Sequence, residues 1–474
     1  MSIWYNYLQS FSYQGGVIIK RVLAYLLFCC ILLFGCSSQV KSNSPTTLTL
    51  WHNYGGQMKN TMDVLIDEFN DTVGKEKGII VNVTSISGSA TLQEKLIMAA
   101  NDEPNAPELP DITTLYPNTA LMLADKGLLT DIDNLFTEEE LSRYINRFVE
   151  EGRLLDGELF VFPTAKSTEV IFLNMTIYNK FIKDTDASYD DLETFEGIIE
   201  TAEKYYKWTD SQTPDIKNDG KAFITYDSVF NVAQTGFKQL ADSFIINEEL
   251  NLTSPSFNRV WNLFYEPAVK GYVANYNGYG SDLMKTGNVA ASIGSTAGIL
   301  FYSPIVTYED NFTEAVEYLI LPYPTFEDGS KVAIQRGGGI GILKSNEAKE
   351  NAAGEFLKWF TTPEQNLKFV SSTGYLPVTI DAFNAVMNDE SIAKDDNIKK
   401  LINTAREMQE QYDFYVPPAF EGFEELQDLY EKQIKETVSM SREEYLKLME
   451  IMDEVNAYEN VSDSIYDNFI NNMR

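Results

Sequence analysis

His52 is the only histidine in the 474-residue chain, and this limits the chemistry that the protein could perform. Catalytic triads of the Ser-His-Asp type and zinc sites with several histidines both need imidazole groups that the chain lacks. The cysteines are Cys29, Cys30 and Cys36, which lie in or beside an N-terminal apolar run, so none is expected to be a catalytic thiolate. The sequence predicts neither a metal site nor a cofactor.

Carboxylates are the abundant reactive groups, with 70 Asp and Glu residues against 37 Lys and Arg. A pair of carboxylates flanking a glycosidic bond is the machinery of a polysaccharide hydrolase, and counting alone leaves that function open. The formal net charge of −33 predicts that the protein repels nucleic acid.

The segment Trp51–Gly56 (WHNYGG) combines aromatic and hydrogen-bonding side chains directly after a strand-like run, Leu48–Trp51. Ligands of open α/β sheets bind at the carboxyl ends of strands, and aromatic faces pack against the C–H face of a sugar. Trp51 and Tyr54 are therefore candidates for stacking on a sugar, and His52 for hydrogen bonding. The alternative is that Trp51 belongs to the core and His52 stabilises the turn.

Strand and helix patterns alternate through the first third of the chain and must position this loop. Apolar residues at Met62, Leu65, Ile66 and Phe69 recur at helical spacing, and Ile79–Val83 is β-branched like a strand. Such alternation predicts a mostly parallel sheet covered on both faces. The length of the chain exceeds what one core usually supports, so two lobes are expected.

The N-terminus has the features of an export signal. Lys20-Arg21 precede the apolar run Val22–Phe34, which at 13 residues is shorter than the roughly 20 that span a bilayer as a transmembrane anchor. Leu33–Cys36 (LFGC) resembles a bacterial lipoprotein box. We expect a signal peptide over 1–35, lipidation of Cys36, a flexible tether over 36–46, and an extracytoplasmic protein anchored to the cell membrane.

Short motifs along the chain resemble those of bacterial extracellular solute-binding proteins of the carbohydrate-uptake type, the receptors of ABC importers. They share an order and spacing that covers nearly all of the chain after the tether. The motifs are Leu48–Tyr54, Pro110–Ile112 with Tyr116-Pro117, Phe162–Glu169 running to Asn174, Gly294–Gly298, Gly337–Gly339, Glu355–Phe360 with Pro363-Glu364, and Thr373–Pro377.

The resemblance implies an α/β, two-lobed periplasmic-binding-protein-like fold of type II, in which lobes joined by crossover segments close on a ligand. It places 47–166 and 320–360 in the N-terminal lobe, and 167–319 and 361–474 in the C-terminal lobe. It implies a non-enzymatic monomer that captures a carbohydrate or polyol and delivers it to the membrane permease subunits of an ABC importer.

The resemblance also assigns the remaining site residues. Ser167 and Thr168 would offer hydroxyls at the first crossover, with a purely structural hinge as the alternative. Ser295 matches a ligand-contacting serine, or else caps a helix. Gly338 matches a glycine whose backbone meets the ligand, or else serves close strand packing. Tyr375 matches a ligand-contacting tyrosine of the second lobe, or else is a core residue.

One position departs from the nearest pattern, that of the glycerol-phosphate and glycerophosphodiester receptors. Those proteins hold the phosphate with an arginine, and the matching position here is Glu424. Because a dianion needs a guanidinium or a helix N-terminus, the reversed charge favours a neutral sugar or polyol over a phosphate. Arg336 could supply a cation instead. A secreted polysaccharide hydrolase and a surface adhesion protein remain rivals from other classes.

Overall fold

Two mixed sheets organise the protein, seen here in a computed structural model that describes residues 44–86, 88–388 and 395–473. The predicted signal peptide, Cys36 and most of the tether lie outside these residues. The strands are β1 Thr46–His52, β2 Ile79–Ser85, β3 Ile112–Leu115, β4 Glu169–Asn174, β5 Ile224–Tyr226, β6 Ile245–Ile246, β7 Glu249–Leu250, β8 Val273–Ala274, β9 Ala291–Ser295, β10 Ile305–Thr307, β11 Thr313–Ala315, β12 Tyr318–Leu321, β13 Val332–Ile334, β14 Gly339–Ile342 and β15 Asp413–Tyr415.

Helices alternate with these strands along much of the chain, and short 3-10 helices lie in some of the connections. The α-helices are α1 Gly56–Asp71, α2 Val73–Lys77, α3 Ser89–Ala100, α4 Pro117–Asp125, α5 Glu138–Leu141, α6 Asn146–Glu150, α7 Met175–Asp184, α8 Phe195–Asp210, α9 Val229–Gln239, α10 Pro255–Lys270, α11 Gly280–Lys285, α12 Glu347–Phe360, α13 Pro363–Val370, α14 Ile380–Asn388, α15 Asp396–Gln411, α16 Phe423–Leu448, α17 Glu454–Ser462 and α18 Ile465–Asn472. The 3-10 helices are Ile132–Leu135, Leu155–Gly157, Asp190–Glu193 and Thr296–Phe301.

The first sheet has the order β14-β3-β1-β2, and the second has the order β12-β4-β9-β5-β8. Parallel pairing holds for β1 with β2 and β3, and for β5 with β8 and β9, as the alternating pattern predicts. The strands that enter from a crossover, β14 in the first sheet and β4 in the second, pair antiparallel. Both sheets are therefore mixed, because a strand arriving from the other sheet runs in the opposite direction.

Strand β1 shows how alternation divides the interior of the first lobe, meaning the elements built on the first sheet. Leu48 and Leu50 belong to the main apolar core, whereas Trp51 packs in a second cluster with Leu92 and Leu96 of α3. Successive side chains of a strand point to opposite faces, so the two clusters cover the two faces of the sheet. The predicted helical face of α1 is also confirmed, since Met62, Leu65, Ile66 and Phe69 are buried.

Two crossover segments, 166–169 and 334–338, carry the chain between the first lobe and the second lobe, which is built on the second sheet. They bind each other through Ser167 and Arg336, whose amides donate to each other's carbonyls at 2.9 and 2.8 Å. Further along the chain, α13 packs against α1, and α15 packs against β12. The predicted residue boundaries between the lobes stay a prediction.

Candidate functional site

A cavity of about 180 Å³ lies where the two lobes and a crossover segment meet. Its wall comes from the residue after β3 and the start of α4, from Glu151, from α9, from the crossover, and from the segment before α16 together with the start of that helix. The lining residues are Tyr116, Pro117, Asn118, Glu151, Asn231, Gln234, Ile334, Gln335, Arg336, Gly337, Val416, Pro417, Pro418, Phe423, Glu424 and Gln427. A more open groove of about 580 Å³ along α16 is lined by that helix and Asn277, without any residue of the first lobe.

A smaller pocket of about 10 Å³, room for about one water molecule, brings together Tyr54, Gly338 and Tyr375 of the predicted site. Tyr116 lines both the pocket and the cavity and is 39% exposed. The Tyr54 and Tyr375 rings pack edge to face with their centroids 6.3 Å apart. Both rings also pack against Phe369, at centroid distances of 5.1 Å for Tyr54 and 6.1 Å for Tyr375. The aromatic ring of Phe369 thus fixes both tyrosines beside the cavity.

The phenol groups of Tyr54 and Tyr375 stay protonated. Burial raises the pKa of Tyr54 and of Tyr375 above the ordinary value of 10.0, and the neighbouring Tyr116 raises both further. A protonated phenol both donates and accepts a hydrogen bond. The pocket can therefore pair with hydroxyl groups, which also do both.

Gly338 occupies a position where no side chain fits. A Cβ atom there would lie 2.3 Å from the Leu115 carbonyl oxygen. The neighbouring Gly337 has a φ of +91°, a conformation that glycine adopts freely. The glycines allow the crossover to run against the end of β3, so close packing of the backbone is one role of Gly338, and its contact with a ligand stays a prediction.

Arg336 is the cation of the cavity wall, and it is held by a buried carboxylate. Its guanidinium donates to Glu169 Oε1 at 2.9 Å, and the Asn231 amide donates to the same oxygen at 2.7 Å. Burial raises the pKa of Glu169, while the Arg336 charge opposes that shift. With Glu169 only 1% exposed, the carboxylate serves to fix the arginine and the asparagine.

Asp227 directly follows β5 in the second lobe and lies within electrostatic range of Glu169 and Arg336. Its Oδ1 accepts a hydrogen bond from the Gly280 amide at 2.7 Å. Burial raises the pKa of Asp227 to about 6, and the Glu169 charge adds to that rise. Glu169 and Asp227 are therefore two neighbouring buried carboxyl groups behind the cavity wall, and the pKa of each is shifted toward the protonated form.

The predicted hydroxyl residues of the crossover and of β9 have partners within the protein. The Thr168 hydroxyl donates to the Ile334 carbonyl at 2.7 Å, and the residue is fully buried. The Ser295 hydroxyl accepts from the Ala297 amide at 3.3 Å and so caps the following 3-10 helix. Ser167, 5% exposed, pairs through its backbone with Arg336. The structure therefore contains the alternative roles, with Ser167 and Thr168 bonded within the crossovers and Ser295 capping a helix, and the ligand contacts of these residues stay predictions.

Neither Trp51 nor His52 lines the cavity between the lobes, the groove along α16 or the smaller pocket of Tyr54 and Tyr375. Trp51 is 8% exposed within the second apolar cluster, and His52 is fully buried. The Nδ1 atom of His52 accepts from the Tyr54 amide at 3.2 Å, as a turn-stabilising residue would. Burial lowers the pKa of His52 to about 4, so the ring is neutral near pH 7. Their roles in binding a ligand stay predictions.

Sequence reasoning did not place Tyr116, Asn231, Gln234, Gln335 or Phe423 in the site. Tyr116 belongs to the Tyr116-Pro117 motif, and its position directly after β3 marks it as a candidate for ligand binding. Gln335 and Phe423 are the neighbours of Arg336 and Glu424, which the sequence did bring forward, whereas Asn231 and Gln234 of α9 carry no local signal and reach the cavity only through the fold.

Within the described residues, no group of three or more His, Cys, Asp or Glu side chains is arranged to hold a metal ion. Across the same residues, no helix combines the length and apolar character needed to cross a membrane.

Residues 65–400 match the family of bacterial extracellular solute-binding proteins. The match covers more than half of the chain, so the protein belongs to that family, which works outside the cytoplasm and binds solutes. This confirms the family and the two-lobed fold class indicated by the motifs. No curated protein sequence matches the chain.

Solved structures share the fold at low identity. The cyclic α-maltosyl-1,6-maltose binding protein from Arthrobacter globiformis is 16% identical, with a TM-score of 0.63, and the alignment covers 90% of this chain and 100% of that one. UgpB from Mycobacterium tuberculosis in complex with glycerophosphocholine is 16% identical, with a TM-score of 0.62 and coverage of 90% and 98%. Maltose-bound MalE3 from T. maritima is 14% identical, with a TM-score of 0.63 and coverage of 89% and 99%.

Proposed function

We propose that the protein captures a sugar or related polyol in the cavity between its lobes and delivers it intact to the permease subunits of an ABC importer. The observation that carries this proposal is the composition of the cavity wall, which takes residues from both lobes and from a crossover. A ligand there would be enclosed when the lobes close. The phenol hydroxyls of Tyr54 and Tyr375 next to the cavity suit a hydroxyl-rich ligand.

Relatives in structure support this class of ligand. Their names describe receptors for maltose and for a cyclic maltosyl-maltose, and one complex holds glycerophosphocholine. A glycerol-phosphate or glycerophosphodiester ligand is the second candidate, favoured by Arg336 in the wall. The ion pair of Arg336 with Glu169 and the presence of Glu424 in the same wall favour the sugar or polyol.

The hydrolase alternative needs two carboxyl groups on either side of the scissile bond. The cavity wall contains the carboxylates Glu151 and Glu424. Glu151 forms an ion pair with Lys166 at 2.7 Å, and both side chains are at most 5% exposed. A carboxylate neutralised in this way is a poor acid or nucleophile, so we propose a receptor without catalytic activity.

The test is a thermal-shift and calorimetric screen of the purified protein against monosaccharides, oligosaccharides, polyols and glycerophosphodiesters. A true ligand at 100 times its Kd should stabilise the fold by about 2.7 kcal/mol. Tyr375→Phe, which removes one hydroxyl beside the cavity, should weaken binding by roughly tenfold or more. Tyr279→Phe is the matched control, because Tyr279 is 71% exposed and lines neither cavity. Release of a cleaved product, or no stabilisation by any compound, would contradict the proposal.

We propose further that the mature protein is a monomer anchored by lipid at Cys36. Support comes from the cationic, apolar and small-residue pattern that ends at Cys36. Cells fed an alkyne fatty acid should incorporate it into the wild-type protein, while Cys36→Ser should abolish labelling and release the protein from membranes. Labelling of the Cys36→Ser variant at wild-type level would contradict the anchor, and size-exclusion chromatography of a detergent-free form would check the monomer.

A further inference from the structure

The charges in the cavity wall are not balanced. Three charged residues line it, Glu151, Arg336 and Glu424. The first two are neutralised by Lys166 at 2.7 Å and by Glu169 at 2.9 Å. Among the salt bridges of the described residues, none includes Glu424. The wall therefore presents one uncompensated negative charge to whatever occupies the cavity.

The two glutamines of the wall donate hydrogen bonds within the protein. Gln234 donates its amide to Asn231 at 2.9 Å, and Gln335 donates to the Arg147 carbonyl at 3.3 Å and to Glu151. The amide oxygens of both glutamines, which are 1% and 2% exposed, have no hydrogen-bond partner. Because these two oxygens have almost no accessible surface, they do not face the cavity, and the charge that the wall presents comes from Glu424.

Two aromatic rings, Tyr116 and Phe423, line the same cavity. The face of an aromatic ring attracts a cation, most strongly where water is excluded. A carboxylate without an ion-pair partner and aromatic side chains in the same wall are groups that can stabilise an ammonium ion. A phosphate would instead meet the Glu424 carboxylate and no unpaired cation in this wall.

We propose that the ligand carries a protonated amine, as an amino sugar or an amine-bearing polyol does, and that this ammonium lies in the cavity against Glu424. The hydroxyl groups of the same ligand face the pocket of Tyr54 and Tyr375. This inference rests on the proposed function and narrows its ligand class. It also assigns to Glu424 the binding of the ligand's ammonium group, at the position where the glycerol-phosphate receptors have an arginine.

The test compares amines with neutral sugars that differ from them in little else. Glucosamine, galactosamine and mannosamine, and the β-1,4-linked glucosamine disaccharide and trisaccharide, are titrated beside their N-acetylated forms and their parent sugars. Wild-type protein should bind at least one amine at least tenfold more tightly than both neutral counterparts. Glu424→Gln should abolish that preference, so that the amine and its neutral counterparts bind the variant with affinities within about threefold of each other. Glu425→Gln, an exposed neighbour outside the cavity wall, should behave like the wild type.

A charge reversal provides the second variant. Glu424→Arg should reject the amines and should bind glycerol 3-phosphate more tightly than the wild type does. Circular dichroism and melting temperature establish that each variant is folded, so a failure to fold is not mistaken for lost selectivity.

The outcomes separate this inference from the function on which it rests. If neutral sugars bind as tightly as amines, or if Glu424→Gln keeps the amine preference, the inference is overturned and the receptor function stands. If phosphates bind the wild type best, the inference is likewise overturned in favour of the glycerophosphodiester alternative. If no sugar, polyol or phosphate binds, the proposed function itself is overturned.

Discussion

Asp227 shows how a single buried carboxyl group makes the stability of this protein depend on pH. Its pKa rises from 3.8 to about 6, chiefly through burial. The folded state therefore binds a proton more tightly than the unfolded state. Its contribution to stability is complete below pH 3.8 and is lost as the pH rises through about 6.

We predict that Asp227→Asn stabilises the protein at pH 7, because an amide can still accept from the Gly280 amide without burying a charge. The gain should be about 3 kcal/mol in the free energy of unfolding at pH 7 and should vanish near pH 4. Urea unfolding at pH 4 and pH 7 measures this difference. Asp282→Asn, on the surface nearby and half exposed, is the control. Equal effects at both pH values would contradict the prediction.

His52 is expected to act in the opposite direction over the same range of pH. Its pKa falls from 6.5 to about 4 through burial, so the unfolded state binds the proton more tightly. Stability from this residue is complete above pH 6.5 and is lost as the pH falls toward 4.

We predict that His52→Asn flattens the acid side of the stability profile, because asparagine keeps an acceptor for the Tyr54 amide but does not titrate. The wild type should lose roughly 3 kcal/mol more than the variant between pH 6.5 and pH 4. Chemical unfolding at half-unit steps of pH measures the two slopes. Parallel profiles would show that the histidine ring is not held neutral by the fold.

At the scale of the elements, the crossover 334–338 and the end of β3 depend on contact between backbones. Gly338 approaches the Leu115 carbonyl so closely that any side chain must displace one of the two segments. Because this displacement would reach Tyr116, the next residue along the chain, it would also alter the wall of the cavity.

We predict that Gly338→Ala destabilises the protein by about 2 kcal/mol or more and weakens ligand binding. Gly55→Ala is the matched control, because a Cβ atom at Gly55 meets nothing within 4 Å and the φ of −118° suits alanine. Melting temperature and the Kd of the ligand found in the screen are the two measurements. A Gly338→Ala protein as stable as Gly55→Ala would refute the close-packing role.

Elements with a strong repeating pattern could be predicted from the sequence. The apolar spacing of α1 and the β-branched residues of β2 correctly predicted a helix and a strand at these positions. The pattern did not reveal that β4 and β14 run antiparallel to their neighbours. Strand direction depends on where the chain re-enters a sheet, and residue spacing carries no information about that.

At the scale of the whole molecule, the region between the lobes is held by a buried ion pair. Lys166, in the first crossover, contacts Glu151 at 2.7 Å and donates to the Gly337 carbonyl of the second crossover at 2.8 Å. One lysine thus ties together both crossovers and the helical segment after α6. These contacts fix the distance between the two crossovers, about which the lobes would close.

We predict that Glu151→Gln costs about 3–5 kcal/mol, because it leaves the Lys166 ammonium buried without its counter-ion. Glu150→Gln, next to it and paired with Arg153 at the surface, should cost at most about 1 kcal/mol. Urea unfolding of the three proteins at pH 7 gives these values. Similar losses for the two variants would indicate that the Lys166–Glu151 pair does not hold the crossovers.

The sequence by itself determined the class of protein, because ordered motifs, helical and strand periodicity and the lone histidine are local features of the chain. It also brought forward Tyr54, Gly338 and Tyr375, which meet in one pocket. Only the tertiary structure decided that Trp51 faces the apolar cluster of α3, and that Gln234, Gln335 and Glu424 share a wall with Arg336. These residues are separated by long stretches of chain, and their electrostatic environment exists only once the two lobes and the crossovers have packed together.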